Sequence, residues 1–231
     1  MKFIAALVAL SISCCPAHAP VSTVKDVSVA LVRAAEDGSI APFCSGAFVA
    51  NDLILTAGHC IQAYEDHYDQ TDEDVKIAFV IPADVPNDVD DNPFSFHFTK
   101  LEKIDRTNDL ALLKVLGPDG FPHSFAVVAK ERPAIGEDIT TYSSPHGQYF
   151  SYGTGVVSAY RHKQYEDIDT DFIEISMIGM YYGSSGSSVF NKSGEIIGVC
   201  SLTPGVPSMV MLVDPIQINK FLSATTKQIG E

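Results

Sequence analysis

Three short segments, far apart in the chain, carry side chains that could do chemistry together. Thr56-Ala57-Gly58-His59-Cys60 offers an imidazole, and Thr107-Asn108-Asp109, leading into Leu110-Ala111-Leu112-Leu113, offers a carboxylate. Gly183-Ser184-Ser185-Gly186-Ser187 offers a hydroxyl on a turn flanked by glycines. A neutral serine hydroxyl is a poor nucleophile and needs a base that works near neutral pH, a task for which histidine, ordinarily titrating at about 6.5, is suited. The imidazole needs a partner to fix its ring, and a carboxylate serves. These residue types point to nucleophilic acyl transfer, with His59 as base, Asp109 as its orienter and Ser185 as nucleophile. Gly183 and Gly186 let the backbone bend so that N–H groups converge beside the hydroxyl. Each residue also has a plainer role open to it. His59 is one of seven histidines, Asp109 could cap an element, and Ser184 and Ser187 are rival hydroxyls of the same turn.

The elements that must position these groups read as strands. Runs at 27–32, 46–50, 53–57, 75–81, 110–116, 138–142, 155–159, 172–175, 188–190, 195–201 and 209–213 are β-branched or alternate polar with apolar residues. Turn residues such as Asn51-Asp52 and Asn191-Lys192-Ser193-Gly194 separate them, which suits antiparallel barrels. The strands divide around a Gly- and Pro-bearing stretch, read as a connector over 118–135 between one barrel at about 26–117 and another at about 136–213. Helix signals are scarce. The clearest is terminal, over 214–225, where Asp214 caps, Pro215 takes the first helical position and Ile218, Phe221 and Leu222 form an apolar stripe.

Composition sets limits on function. Of 231 residues, 46% are hydrophobic and 19% charged, as expected for a globular chain with a sizeable core. The net charge of −14 argues against nucleic acid or an anionic membrane surface as partners. Met1-Lys2-Phe3, a short apolar run over 4–12 and Ala17-His18-Ala19 have the form of a secretory signal, read as residues 1–19. The apolar run is too short to span a bilayer, so no membrane span is expected. Export to the periplasm or the medium follows, with a lipid anchor at Cys14, after Ser11-Ile12-Ser13, as the lesser alternative. The acidic stretch over 65–91 reads as a solvated loop, with a calcium site as the sharper alternative. Cys200, in an apolar strand, reads as a small buried hydrophobe.

These residues carry a family likeness. Cys44-Ser45-Gly46-Ala47, followed by Leu53-Ile54-Leu55-Thr56-Ala57-Gly58-His59-Cys60, resembles the trypsin-like serine peptidases of the chymotrypsin fold. The order His, Asp, Ser agrees, whereas α/β-hydrolases run Ser, acid, His and subtilisins Asp, His, Ser. The second half is closer to HtrA/Deg-type and glutamyl-endopeptidase branches. Gly136-Glu137-Asp138, Ser144-Pro145-His146-Gly147, Gly155-Val156-Val157-Ser158-Ala159 and Gly183 onward to Gly194-Glu195-Ile196-Ile197-Gly198 carry that similarity. It covers roughly residues 26–223, and nothing after 225 resembles a PDZ domain.

The resemblance implies an all-β fold of two antiparallel six-stranded barrels with a short C-terminal helix. It implies hydrolysis of protein or peptide substrates, without cofactor or metal, through His59, Asp109 and Ser185. The N–H groups of Gly183 and Ser185 would form the oxyanion hole. Cys44 and Cys60, expected to pair in an oxidising compartment, match a bridge of the family. Ser184 stands where trypsin-like zymogens carry an aspartate, and no Ile-Val-Gly-Gly start exists, so activation through a new N-terminus is not expected. By the same carry-over, Gly179 and Met180 would lie at the base of the primary substrate pocket, Ser201, Leu202 and Thr203 along one wall and Ser208 opposite. None is acidic and Cys200 replaces the histidine of glutamate-specific relatives, so a small or medium uncharged side chain is expected. A protease-fold binding protein without catalysis and an esterase using the same triad remain the rival readings. Oligomeric state leaves no mark in the sequence.

Overall fold

The computed structural model describes residues 21–34, 40–65, 76–85, 95–117, 124–165, 167–202 and 208–226. The leader at 1–19, most of the acidic stretch at 65–91 and the pocket residue Thr203 lie outside the described residues. Twelve strands form two closed antiparallel barrels. The first is built from β1 (Ser28–Ala34), β2 (Ile40–Ala50), β3 (Leu53–Thr56), β4 (Lys76–Val80), β5 (His97–Asp105) and β6 (Leu110–Val115). It closes where Ala30, Leu31 and Val32 of β1 pair with Val80, Phe79 and Ala78 of β4. The second comprises β7 (Asp138–Ser143), β8 (Ser151–Tyr165), β9 (Ile168–Met177), β10 (Ser188–Phe190), β11 (Ile196–Leu202) and β12 (Met209–Val213), and closes through β10 with β7. The all-β, two-barrel expectation holds.

Alternation dictates the cores. Phe48, Leu55, Phe79 and Leu112 are fully buried in the first barrel, with the Phe48 and Phe79 rings edge to face at 5.8 Å. Ile139, Ile173, Ile175, Val189 and Leu212 fill the second. The first barrel's apolar cluster also takes in Phe190, Ile196 and Val213 from the second, so the barrels pack as one apolar body. Helix α3 (Pro215–Thr226) ends the described chain as expected: Asp214 Oδ1 accepts the Ile216 N–H at 2.6 Å, Pro215 leads, and Ile218 and Phe221 are buried. Its far end returns to the first barrel, where Lys103 Nζ donates to the Phe221 carbonyl at 2.8 Å.

Three features depart from the sequence reading. Strand β5 was not expected, because its outer face is Lys, Glu and Lys and its apolar signal is thin; Thr99 points inward and satisfies its hydroxyl on the Ile77 carbonyl at 2.9 Å. Strands β8 and β9 run well beyond the expected 155–159 and 172–175 as a long arm outside the core. Polar side chains hold that arm, with Arg161 on Glu174 at 3.1 Å and His162 between Asp169 and Asp171 at 3.1 and 3.0 Å. Two helices were also unforeseen: α1 (Val21–Val27), which buries Val24 and Val27, and α2 (Gly58–Glu65), which starts at the histidine segment.

Cys44 of β2 and Cys60 of α2 form a disulfide, with Cα atoms 6.2 Å apart. It closes a loop of 16 residues, for which chain entropy gives about 3 kcal/mol. The Cys44→Ser/Cys60→Ser variant should lose about that much stability in guanidinium unfolding; an unchanged midpoint would contradict the estimate.

Candidate active site

The apolar strand β3 ends at Thr56, and the chain turns directly into α2, so His59 sits in the helix's first turn. The first N–H groups of a helix lack intrahelical partners and favour a negative group. Asp109 supplies one: its Oδ1 accepts the His59 backbone N–H at 2.8 Å. The same carboxylate meets the imidazole, with Nδ1 2.9 Å from Oδ2 and 3.1 Å from Oδ1. Capping and ring orientation, rival readings of Asp109 in the sequence, are both carried by this one side chain. Gly58 permits the approach, since a Cβ there would stand 3.2 Å from the Leu110 nitrogen.

Asp109 is 2% exposed, and a buried carboxylate is costly unless donors surround it. Ser201 Oγ, from β11 of the second barrel, donates a short hydrogen bond to Oδ2. The sequence reading placed Ser201 in a pocket wall and missed this role, because nothing in the local sequence says which residue of another barrel will face a carboxylate. The ring presents Nδ1 to both carboxylate oxygens, which leaves Nε2 on the side away from Asp109. Asp109 adopts φ +52, a left-handed conformation uncommon for a residue with a side chain. The turn that forces it is braced locally by Asp105, whose carboxylate accepts from the Asn108 backbone at 3.0 Å and side chain at 2.8 Å. The β8–β9 arm braces it from the other barrel: Asp169 N–H donates to the Thr107 carbonyl at 2.9 Å, and Thr170 Oγ1 to Asn108 Oδ1 at 2.6 Å.

The serine turn is pressed against the same region. Gly183 and Gly186 have φ of +92 and +80, where only glycine is at ease. A Cβ at Gly186 would overlap Thr56 Oγ1 and the Ser45 carbonyl, and one at Gly183 would overlap the Ser144 carbonyl. The turn therefore lies on the strand end that leads into His59. Burial separates the three hydroxyls. Ser184 is 1% exposed and Ser187 is fully buried, whereas Ser185 is partly exposed. Ser184 Oγ is engaged inside, 3.3 Å from both Ser143 Oγ and the Tyr181 nitrogen, where a zymogen-type aspartate would need an ammonium partner.

The peptide units of this turn are held in a specific order. The Tyr182 carbonyl accepts from the His146 N–H at 2.7 Å, and the Ser184 carbonyl from the Ser187 N–H at 3.0 Å. In a trans peptide the N–H points opposite to the carbonyl, so the N–H groups of Gly183 and Ser185 face the other way. Neither has a hydrogen-bond partner among the described residues. Unpaired backbone donors are rare away from water and suit an anionic guest.

A cavity of about 220 Å³ lies beside the His59–Asp109 pair, between His59, Asp109 and Ser201 and the arm residues Tyr165, Asp167 and Ile168. The other described residues of the expected pocket do not line this cavity. Gly179 and Ser208 are exposed in turns at φ +91 and +64, and the Ser208 carbonyl accepts the Met177 N–H at 2.9 Å. Met180 is 8% exposed and packs in the second barrel's core, its Sδ 3.8 Å from Ser143 Oγ, and Leu202 pairs with Met211 in the β11–β12 ladder. Cys200 is buried, and burial, with the Asp109 charge adding to it, pushes its thiol up to about 12. With the thiol held neutral, iodoacetamide at about pH 8, close to where an ordinary cysteine titrates, should leave the Cys200 peptide unmodified in native protein. Alkylation should be complete in concentrated guanidinium, and native-state labelling would contradict this burial.

Comparison with known proteins bears on the family and the fold. A family model described as trypsin-like peptidase domain matches residues 44–199. Two proteins named "Probable periplasmic serine endoprotease DegP-like" align with parts of the chain. The one from Ectopseudomonas mendocina is 33% identical over 102 residues, 44% of this chain and 21% of that protein. The one from Halomonas elongata is 31% identical over 97 residues, 42% and 20% respectively. The alignments thus span about a fifth of these relatives' length. Among solved structures, the active form of the Rv3671c protease from M. tuberculosis superimposes with a TM-score of 0.67 at 15% identity, covering 90% of this chain and 83% of that one. The serine endoprotease from Yersinia pestis gives 0.64 at 17%, covering 90% and 65%; both likenesses concern the fold. With the family match spanning the histidine, aspartate and serine segments inside a two-barrel fold, the chain belongs to the trypsin-like peptidase domain family.

Proposed function

We propose that this protein is an exported serine endopeptidase that cleaves peptide bonds through an acyl-enzyme. His59 Nε2 takes the proton of Ser185 Oγ as the oxygen attacks the scissile carbonyl carbon. The resulting oxyanion is stabilised by the N–H groups of Gly183 and Ser185. The imidazolium, steadied by Asp109, then gives its proton to the departing amine nitrogen as the C–N bond breaks. Water, deprotonated by the same imidazole, attacks the ester carbonyl carbon, and the imidazolium returns that proton to Ser185 Oγ as the acyl C–O bond breaks and the carboxylic acid product leaves. The observation that carries this reading is the pair of N–H groups without partners among the described residues, on Gly183 and on Ser185 itself, the one partly exposed serine of the turn. A binding protein that had abandoned catalysis would have no need of such a pair, and losing one oxyanion donor costs other enzymes roughly 3–4 kcal/mol of transition-state stabilisation.

The leader-like residues 1–19, the Cys44–Cys60 bridge and the periplasmic designation of the DegP-like relatives support export. No helix among the described residues is long and apolar enough to cross a membrane. The proposed primary pocket, from Gly179, Met180, Ser201, Leu202, Thr203 and Ser208, carries no charge, which favours an uncharged side chain at the cleavage site over Arg or Lys.

A serine-directed organophosphonate should add to Ser185 and abolish peptide cleavage, and Ser185→Ala should show neither labelling nor cleavage. Asp109→Asn should fold yet lower kcat by about 10⁴-fold, the scale seen when such a carboxylate loses its charge elsewhere. Absence of labelling in folded wild-type protein would overturn the reading, and cleavage of matched esters without amides would favour an esterase.

A further inference from the structure

Ser45 belongs to the first barrel and has no assigned part in bond making or breaking in the proposed reaction, yet it hydrogen-bonds to the backbone of the serine turn. It is fully buried in β2, and every polar atom it has is in use. Its N–H donates to the Ser185 carbonyl at 2.8 Å, and its carbonyl accepts from Thr56 Oγ1 at 2.8 Å. Its hydroxyl does two opposite things: it donates to the Gly183 carbonyl at 2.8 Å and accepts the Ser144 N–H at 3.0 Å. Both hydroxyl partners lie in the second barrel.

These contacts close a ring around the oxyanion donors. From Ser144 the chain runs through Pro145 to His146, whose N–H holds the Tyr182 carbonyl. That carbonyl fixes the direction of the Gly183 N–H. The next peptide is gripped at both ends, its carbonyl by Ser45 Oγ and its N–H, from Ser184, by the Tyr181 carbonyl at 2.8 Å. Gly183 itself has no side chain to resist rotation of either flanking peptide, so without an external grip these peptides could turn over and point a carbonyl where the substrate's oxyanion must sit. A hydroxyl suits the position because one atom can donate and accept at once.

We propose that Ser45 is a positioning residue, the first barrel's clamp on the oxyanion loop, and that it replaces the buried ion pair that a new N-terminus makes in zymogen-type relatives. Competence then depends on the barrels being docked and needs no ammonium partner at the serine turn. This inference rests on the serine-peptidase reading above. Ser184, held by neutral hydrogen bonds instead of a salt bridge, is consistent with it.

The test compares wild type with Ser45→Ala and Ser45→Cys, the second nearly isosteric but a weak hydrogen-bonding group. Both should keep wild-type circular dichroism. Ser45→Ala should lower kcat by about 10- to 100-fold, somewhat less than outright loss of an oxyanion donor, with KM nearly unchanged. Affinity for a peptide aldehyde, whose adduct carries an oxyanion, should fall with kcat, while affinity for a non-covalent product peptide should not. Ser45→Cys should lie between. Wild-type kcat in either folded variant, or equal losses for aldehyde and product peptide, would overturn the proposal. If Ser45→Ala does not fold, Ser45→Cys alone decides by the same criteria. Failure of wild type to react with the organophosphonate would instead strike the functional reading itself.

Discussion

A single buried carboxylate organises this molecule. Asp109 sits 2% exposed between two barrels, and a charge in that position is tolerable only when donors converge on it. They come from three sources: the His59 peptide N–H at the start of α2, the His59 ring and the hydroxyl of Ser201. The first two belong to one barrel and the third to the other, so the charge is satisfied only when the barrels dock. The backbone at Asp109 is held at positive φ by its own turn and by the β8–β9 arm. Strain of that kind costs of order 1–3 kcal/mol and persists where surrounding structure enforces it. Folding energy is thereby spent on aiming one oxygen at Nδ1.

The serine turn solves a related problem with backbone instead of charge. The carbonyls of Tyr182, Gly183, Ser184 and Ser185 are all paired, and the N–H groups of Gly183 and Ser185 are left open among the described residues. Gly183 and Gly186 are needed twice over, for their positive φ and because Ser144, Ser45 and Thr56 approach too closely for a Cβ. The close approach is what carries the turn to the His59 segment. Barrel packing, helix capping and the disulfide at Cys60 act on the same few residues, so the histidine end of the site has little freedom to drift.

The parts of the fold legible in the sequence were those with strong local signals. Leu53 to Thr56, Leu110 to Val115 and Met209 to Val213 are apolar runs bounded by turns, and they are strands. Asp214-Pro215 announced its helix. Elements held by partners elsewhere were missed or shortened. The tip of the β8–β9 arm, Arg161 to Tyr165, is exposed and polar, and only cross-strand partners such as Glu174 and Asp171 make it a strand. Helix α2 has a modest helical pattern of its own and leans on Asp109, fifty residues on.

The site divides the same way. Residue types and their order singled out His59, Asp109 and Ser185 as candidates, because an acyl-transfer site needs a base, an orienter and an alcohol, and the glycines beside Ser185 advertise a special turn. That much is covalent chemistry written along the chain. Ser45 and Ser201 look like any other strand serines in sequence. Their significance arises only when two closed barrels meet and put a hydroxyl opposite Gly183 and another opposite Asp109. Hydrogen bonds between residues some ninety or more positions apart leave no local trace, so tertiary structure alone decided what supports the chemistry that the sequence had named.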